Sequence, residues 1–264
     1  MEVLNDILGY ENLKIYQNND FFSFSLDSVM LANFIDIRTR DKKILDLGTG
    51  NGVIPLVLSK RTNSNIIGLE IQKDLSDLAS KSVRYNKLQD RIDIININMK
   101  DYVTNDVLNT FDLITCNPPY FKYNENNIMN DSLFKLIARH EVEITLSDIF
   151  SIAKRLLKDG GKFAIVHRPE RLLEIIDQFR KNNIEPKRIR FVYENINKNA
   201  IIVLIEGIKN GRCGLKVESP FILYDETENK TLEYENFIME VRKWVNVVMM
   251  IVLVYILFLL LLET

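Results

Sequence analysis

Lys43-Ile44-Leu45-Asp46-Leu47-Gly48-Thr49-Gly50-Asn51-Gly52 is the stretch that decides the fold. A short apolar strand runs directly into a turn with glycine at every second position. An apolar helix is expected next, from Val53 to Ser59, with Pro55 tolerated in its first turn. Glycines in such a turn let the backbone approach a ligand closely. The spacing is G-x-G-x-G, whereas the dinucleotide fingerprint is G-x-G-x-x-G, so the third glycine is out of register for a pyrophosphate loop. Asp46, just inside the strand end, also suits a ligand without phosphates. It can orient the turn or, through water, hold a cationic amino-acid moiety; the plainer alternative is a nearby helix cap.

Outward from this turn the chain alternates strands and helices, which predicts an α/β doubly wound sheet. Strands are expected at 44–48, 66–70, 92–97, 111–116, 161–167, 188–194 and 200–206, and helices at about 53–60, 73–87, 146–158 and 170–182. Asp159-Gly160-Gly161 reads as the stop of the third of these helices. Only Glu194 to Asn199 separate the last two strands. They form a hairpin, so the seven-stranded, mostly parallel, Rossmann-like sheet should end in an antiparallel strand. One domain is expected over 1–243, with a ligand-turn half at about 40–120 and a basic part at about 151–216.

Two further strand ends extend the turn's chemistry. Asn65-Ile66-Ile67-Gly68-Leu69-Glu70 ends in an acid about 20 residues past the glycines, where an acidic residue binds ribose hydroxyls in nucleotide-binding α/β folds. A solvated strand end is its bland alternative. The strand 92–97 is followed by Asn98 and Met99, placed to contact an adenine ring. The run Phe111-Asp112-Leu113-Ile114-Thr115-Cys116 then leads into Asn117-Pro118-Pro119-Tyr120. An exocyclic amine has its lone pair delocalised into its ring or carbonyl and needs alignment to attack. The Asn117 side-chain oxygen accepts one N–H and the Pro118 carbonyl the other, so the catalysis is mostly positioning. The prolines stiffen this wall and offer no donors. Tyr120 gives a flat face for an unpaired base. Without that role the tetrapeptide is a rigid turn.

Composition bounds the rest. The chain has 264 residues with 34 basic and 36 acidic side chains. Residues 151–216 hold 15 basic and 7 acidic side chains, whereas 1–150 hold 16 and 21. A basic segment on an otherwise acidic protein is the footprint of a nucleic-acid-facing surface, or else an ordinary solvated distribution. Cys116 and Cys213 have no metal-ligand spacing and cannot form a disulfide framework, and His140 and His167 are too few for a histidine-based metal site. No metal and a cytoplasmic location are expected. Residues 122–131 form an asparagine-rich polar loop expected beside the site. Val245 to Leu262 carry no charge and follow Arg242 and Lys243. That tail reads as a membrane anchor, a buried helix or a reading-frame artefact.

The glycine turn, the strand-end acid and Asn-Pro-Pro-Tyr, in this order, resemble the class I S-adenosylmethionine-dependent methyltransferases that modify amino nitrogens. Further segments narrow the likeness: Phe22-Ser23-Phe24-Ser25-Leu26-Asp27-Ser28-Val29-Met30-Leu31-Ala32, Ala138-Arg139-His140-Glu141, His167-Arg168-Pro169-Glu170-Arg171-Leu172, Gly214-Leu215-Lys216 and Ile222-Leu223-Tyr224. Together these resemble the bacterial tRNA1(Val) adenine-37 N6-methyltransferase family over roughly residues 5 to 240. The resemblance implies tRNA as partner and S-adenosylmethionine as donor. Asn117, Pro118, Pro119 and Tyr120 would hold the base, with Phe121 beside it. Asp46, Gly48, Gly50, Gly52, Glu70, Asn98 and Met99 would hold the donor. Arg168, Arg171, Lys187, Arg188 and Arg190 are the candidates for tRNA phosphate. The family often has an acid where Asn98 stands, and the apolar tail is foreign to it. A protein glutamine N5-methyltransferase would need a helical substrate domain where only 43 residues precede Ile44. A ribosomal RNA guanine N2-methyltransferase usually has Phe at the Tyr120 position, and a DNA adenine methyltransferase would need a larger target-recognition region. An inactive RNA-binding relative fits poorly with an intact Asn-Pro-Pro-Tyr.

Overall fold

The structure is a computed structural model that describes residues 1–18, 26–120 and 144–238. It opens on an antiparallel hairpin of β1 (Glu2–Ile7) and β2 (Tyr10–Asn18), followed by helix α1 (Leu26–Phe34). Then come β3 (Lys43–Leu47), α2 (Val53–Leu58), β4 (Asn65–Glu70), α3 (Lys73–Tyr85), β5 (Ile92–Asn96), β6 (Phe111–Cys116), α4 (Leu146–Leu156), β7 (Leu157–His167), α5 (Leu172–Lys181), β8 (Ile184–Asn195) and β9 (Ala200–Lys209). Two short strands close the series, β10 (Lys216–Val217) and β11 (Phe221–Tyr224).

The main sheet runs β8-β9-β7-β6-β3-β4-β5, with β10 and β11 paired to β8. β9 is antiparallel to both β7 and β8, and the other pairs are parallel. This is the class I methyltransferase arrangement expected from the sequence, extended by the two short strands and the N-terminal hairpin. Every residue of β6 is buried, which is why a strand covered on both faces reads as a continuous run. Its one acid, Asp112, accepts the Lys42 and Lys43 backbone N–H groups and the Lys158 ammonium. One apolar core joins the hairpin, α1 and α2 to one sheet face; the other packs α4 and α5 on the opposite face. On α3 the spacing of Leu75, Leu78, Ala79 and Val83 turns one stripe inward. Thr145 and Asp148 form a reciprocal capping box at the head of α4.

Asp159-Gly160-Gly161 is a strand irregularity and does not stop a helix. α4 ends at Leu156, β7 starts at Leu157, and the register against β6 shifts between Phe111 and Leu113. Gly160 has φ 72°, which favours glycine, and a Cβ on Gly161 would lie 2.8 Å from the Lys158 carbonyl oxygen, so the bulge has no room for a side chain there. β1, β2 and α1 had no place among the expected elements. β1 is mostly exposed, and α1 buries Val29, Met30, Leu31 and Ala32 in succession, so neither carries its own period clearly. The loop 122–131 and the tail 245–262 lie outside the described residues. Among the described residues no helix is long and apolar enough to cross a membrane.

The strand order reverses at β3, with β4 on one side and β6 on the other. A crevice opens beyond the carboxyl ends of strands at such a switch point. Leu47 pairs with Cys116, so the glycine turn and the Asn-Pro-Pro-Tyr turn leave the sheet side by side.

Candidate active site

The glycine turn is built from left-handed backbone. Gly48, Gly50 and Gly52 have φ of 68°, 58° and 87°. At Gly52 the reason is also steric, since a Cβ would sit 3.2 Å from the Ala79 side chain. At Gly50 a Cβ would meet nothing within 4 Å, so the turn leaves open space there for a ligand. Gly48 faces the Met99 methyl group at 3.8 Å. The turn is tied to β4 through the Thr49 N–H, which donates to the Leu69 carbonyl.

Glu70 anchors the same turn. Its Oε2 accepts the Gly50 N–H at 2.8 Å and its Oε1 the Gln72 N–H at 2.9 Å. The carboxylate is buried, and burial raises its pKa against the pull of those two N–H groups. Each oxygen keeps a second lone pair for a ligand hydroxyl. Asp46 is fully buried. One oxygen accepts the Thr115 hydroxyl at 2.6 Å, and Oδ2 has no hydrogen bond among the described residues. Burial pushes its pKa up to about 7. Thr49 Oγ1 and Asn51 Nδ2 are likewise buried without a hydrogen-bond partner among the described residues. A left-handed glycine cradle with open space and three orphaned polar atoms fits a donor that brings its own polar groups. Asn98 closes the turn after β5, its side chain accepting the Lys100 N–H. Asn96, which the sequence did not single out, donates to the Glu70 and Ile71 carbonyls and braces the β4 end.

The neighbouring turn is held by side chains. Asn117 Nδ2 donates to Ser28 Oγ at 2.9 Å, and the Tyr120 hydroxyl donates to Asp27 Oδ2 at 2.6 Å. Pro118 is buried, while Asn117, Pro119 and Tyr120 are half-buried. Burial, with Asp27 adding to it, lifts the Tyr120 phenol well above its ordinary pKa and keeps it a donor. His167 lies beside Tyr120, ring centroids 5.1 Å apart. Its Nδ1 accepts the Arg168 N–H, and burial lowers its pKa to about 4, so it is neutral near pH 7. The Arg168 guanidinium lies 5.5 Å over the Tyr120 ring and donates to the Ile201 carbonyl. Arg171 pairs with Glu174 and reaches the Tyr120 carbonyl. Phe121 lies outside the described residues.

The structure therefore brings Arg168 and Arg171 to the Asn-Pro-Pro-Tyr turn and keeps the β8 cations away from it. Lys187, Arg188 and Arg190 sit on β8, three strand positions from β6. Arg188 pairs with Glu218 and Glu206 and donates to the Phe34 carbonyl, Arg190 pairs with Glu233, and Lys187 donates to the Arg212 carbonyl. These partners come from α1, β9, the β9–β10 connection and the chain after β10, which sequence spacing cannot bring together. Asp27 and Ser28 were missed as site residues, although they stand as a polar pair at the head of a helix whose other residues, Asn33 apart, are apolar. Among the described residues no cluster of three or more His, Cys, Asp or Glu side chains is arranged for a metal.

The chain resembles known proteins. A protein of Parabacteroides distasonis named tRNA1(Val) (adenine(37)-N6)-methyltransferase is 25% identical over 184 residues, 70% of this chain and 76% of its own length. One of the same name from Trichodesmium erythraeum is 30% identical over 165 residues, 61% of this chain and 66% of its own. The crystal structure of a predicted O-methyltransferase from Agrobacterium tumefaciens superposes with a TM-score of 0.64 at 19% identity, covering 82% of this chain and 97% of that one. That likeness concerns the fold. The family model for the methyltransferase small domain matches residues 12–191, a span that includes the glycine turn, Glu70 and Asn-Pro-Pro-Tyr, and the chain belongs to that family.

Proposed function

We propose that this chain transfers a methyl group from S-adenosylmethionine to the N6 amine of an adenine in tRNA, at position 37 of tRNA1(Val). The observation that carries the acceptor chemistry is the hydrogen bond from Asn117 Nδ2 to Ser28 Oγ. It uses the donor end of the amide and leaves Oδ1 as an acceptor next to the glycine turn, which suits an amine and not a carbonyl. The names of the curated relatives support the substrate.

S-adenosylmethionine, when bound, supplies a methyl group activated by a sulfonium centre. Asp46, Asn51 and the Gly48–Gly52 backbone would hold its amino-acid end, Glu70 its ribose hydroxyls, and Met99 with Asn98 its base. Asn117 Oδ1 and the Pro118 carbonyl would accept the two N–H groups of the target amine and orient its lone pair. Tyr120, backed by Arg168 and His167, would pack on the base. An adenine in a loop costs little to unstack. Lys187 has no acidic partner among the described residues and stays the β8 candidate for phosphate, while Arg188 and Arg190 would have to break ion pairs first.

The test is methylation of total tRNA with methyl-labelled donor, followed by mapping of the label. N6-methyladenosine at position 37 of a valine tRNA is expected. Label at another tRNA base would change the substrate, and label in protein glutamine would sink the RNA assignment.

A further inference from the structure

We propose that the first turn of α1 is the positioning element of the acceptor turn, with Ser28 holding the Asn117 amide in place and Asp27 fixing the Tyr120 ring. This rests on the amine-methylation reading above. An asparagine amide can rotate by half a turn and exchange its donor for its acceptor at little internal cost. With Nδ2 toward the substrate, two N–H donors would oppose each other and the amine would be repelled. Ser28 Oγ takes the Nδ2 hydrogen at 2.9 Å and holds the amide plane in place. A hydroxyl can bond either end of an amide, so Ser28 fixes the position of the side chain and the target amine, which only donates, selects Oδ1. Tyr120, three residues on, is tied by its hydroxyl to Asp27 at 2.6 Å. Two consecutive residues of one helix thus hold the first and last residues of Asn-Pro-Pro-Tyr.

A pin is useful only if its own support is stiff. α1 is braced at its far end by cations from three separate elements. Arg61 donates to the Ala32 and Ile35 carbonyls, and Arg188 donates to the Phe34 carbonyl. Lys162 holds the Asp36 carbonyl and carboxylate. Glu206 accepts the Asp36 N–H, and the Tyr10 hydroxyl donates to Asn33. The side chains of Val29, Leu31 and Ala32 are fully buried. Arg188 therefore acts through this brace, which accounts for its internal ion pairs.

The test combines kinetics with a readout that needs no substrate. Ser28→Ala should lower kcat about tenfold, the worth of one hydrogen bond, with donor affinity and tRNA KM unchanged. Asp27→Ala and Tyr120→Phe should each lower kcat, and the double variant should be no slower than the slower single one. Asp27→Asn keeps an acceptor for the phenol and should restore most of the rate. In parallel, hydrogen exchange of the Asn117 side-chain amide, assigned by its loss in Asn117→Ala, should speed up in Ser28→Ala whatever the acceptor molecule is. Fast exchange in the wild type, or additive Asp27 and Tyr120 effects, would overturn the proposal. An absence of tRNA methylation by the wild type together with slow, Ser28-dependent exchange would overturn the substrate reading and leave the pin in place.

Discussion

The glycine turn and the Asn-Pro-Pro-Tyr turn leave adjacent strands side by side, yet they are held in opposite ways. The glycine turn is held close by: three left-handed glycines, a backbone bond to the next strand, and one carboxylate 20 residues away at the end of that same strand, closing on the Gly50 N–H. The acceptor turn depends on two side chains 89 and 93 residues away in sequence. A binding cradle for a small, invariant donor can be encoded locally. On the proposed reading, a clamp that aligns one amine needs a rigid outside reference, which α1 would supply.

Removing the clamp should produce the largest effect. Asn117→Ala should lower turnover about a hundredfold or more while donor affinity by calorimetry stays the same, because one of two orienting acceptors is lost. Turnover within a fewfold of the wild type would show that the two turns are not divided as donor and acceptor. On the donor side, Glu70→Ala removes the acceptor of two backbone N–H groups. It should weaken donor binding by about 30-fold and cost about 2 kcal/mol of stability. Unchanged donor affinity would mean the glycine turn holds itself.

Charge distinguishes the regions as well. Arg188→Ala leaves the buried Glu206 short of a partner and unties the α1 carbonyl. It should destabilise the fold by about 2 kcal/mol in urea unfolding. The salt dependence of tRNA binding should stay as it was, whereas Lys187→Ala should flatten it slightly. A flatter salt slope in Arg188→Ala would return that arginine to the RNA surface.

The finest contrast is in pH. Asp46 has its folded pKa raised from 3.8 to about 7 by burial, so between these values the folded chain binds more protons than the unfolded one. Its contribution is therefore fully present below pH 4 and is lost as pH rises through about 7. Glu70, also raised by burial, acts in the same sense. The difference in unfolding midpoint between the wild type and Asp46→Asn should drift by an amount on the order of 1 kcal/mol or more across that window. A difference that stays flat with pH would mean that Asp46 titrates normally.

What the sequence determined by itself was whatever is carried by local pattern. β3, β4 and β6 announced themselves as apolar runs because they are buried on both faces, and the glycines and Glu70 stood at strand ends whose order already implied a switch point. Asn117-Pro118-Pro119-Tyr120 stood out as a rigid turn at the end of a buried strand through residue type alone. Asp159-Gly160-Gly161 misled because glycine marks a helix stop and a strand bulge equally well, and only pairing with β6 distinguishes them. The contacts of Asp27, Ser28, Arg61 and Arg188 were decided by the tertiary structure. A hydrogen bond across 89 residues leaves no spacing in one sequence, and a cation's partner depends on which strands the fold brings together. Arg188 reads as a phosphate ligand from composition, and only the packing of β8 against β9 and α1 shows that it faces Glu206 and the Phe34 carbonyl.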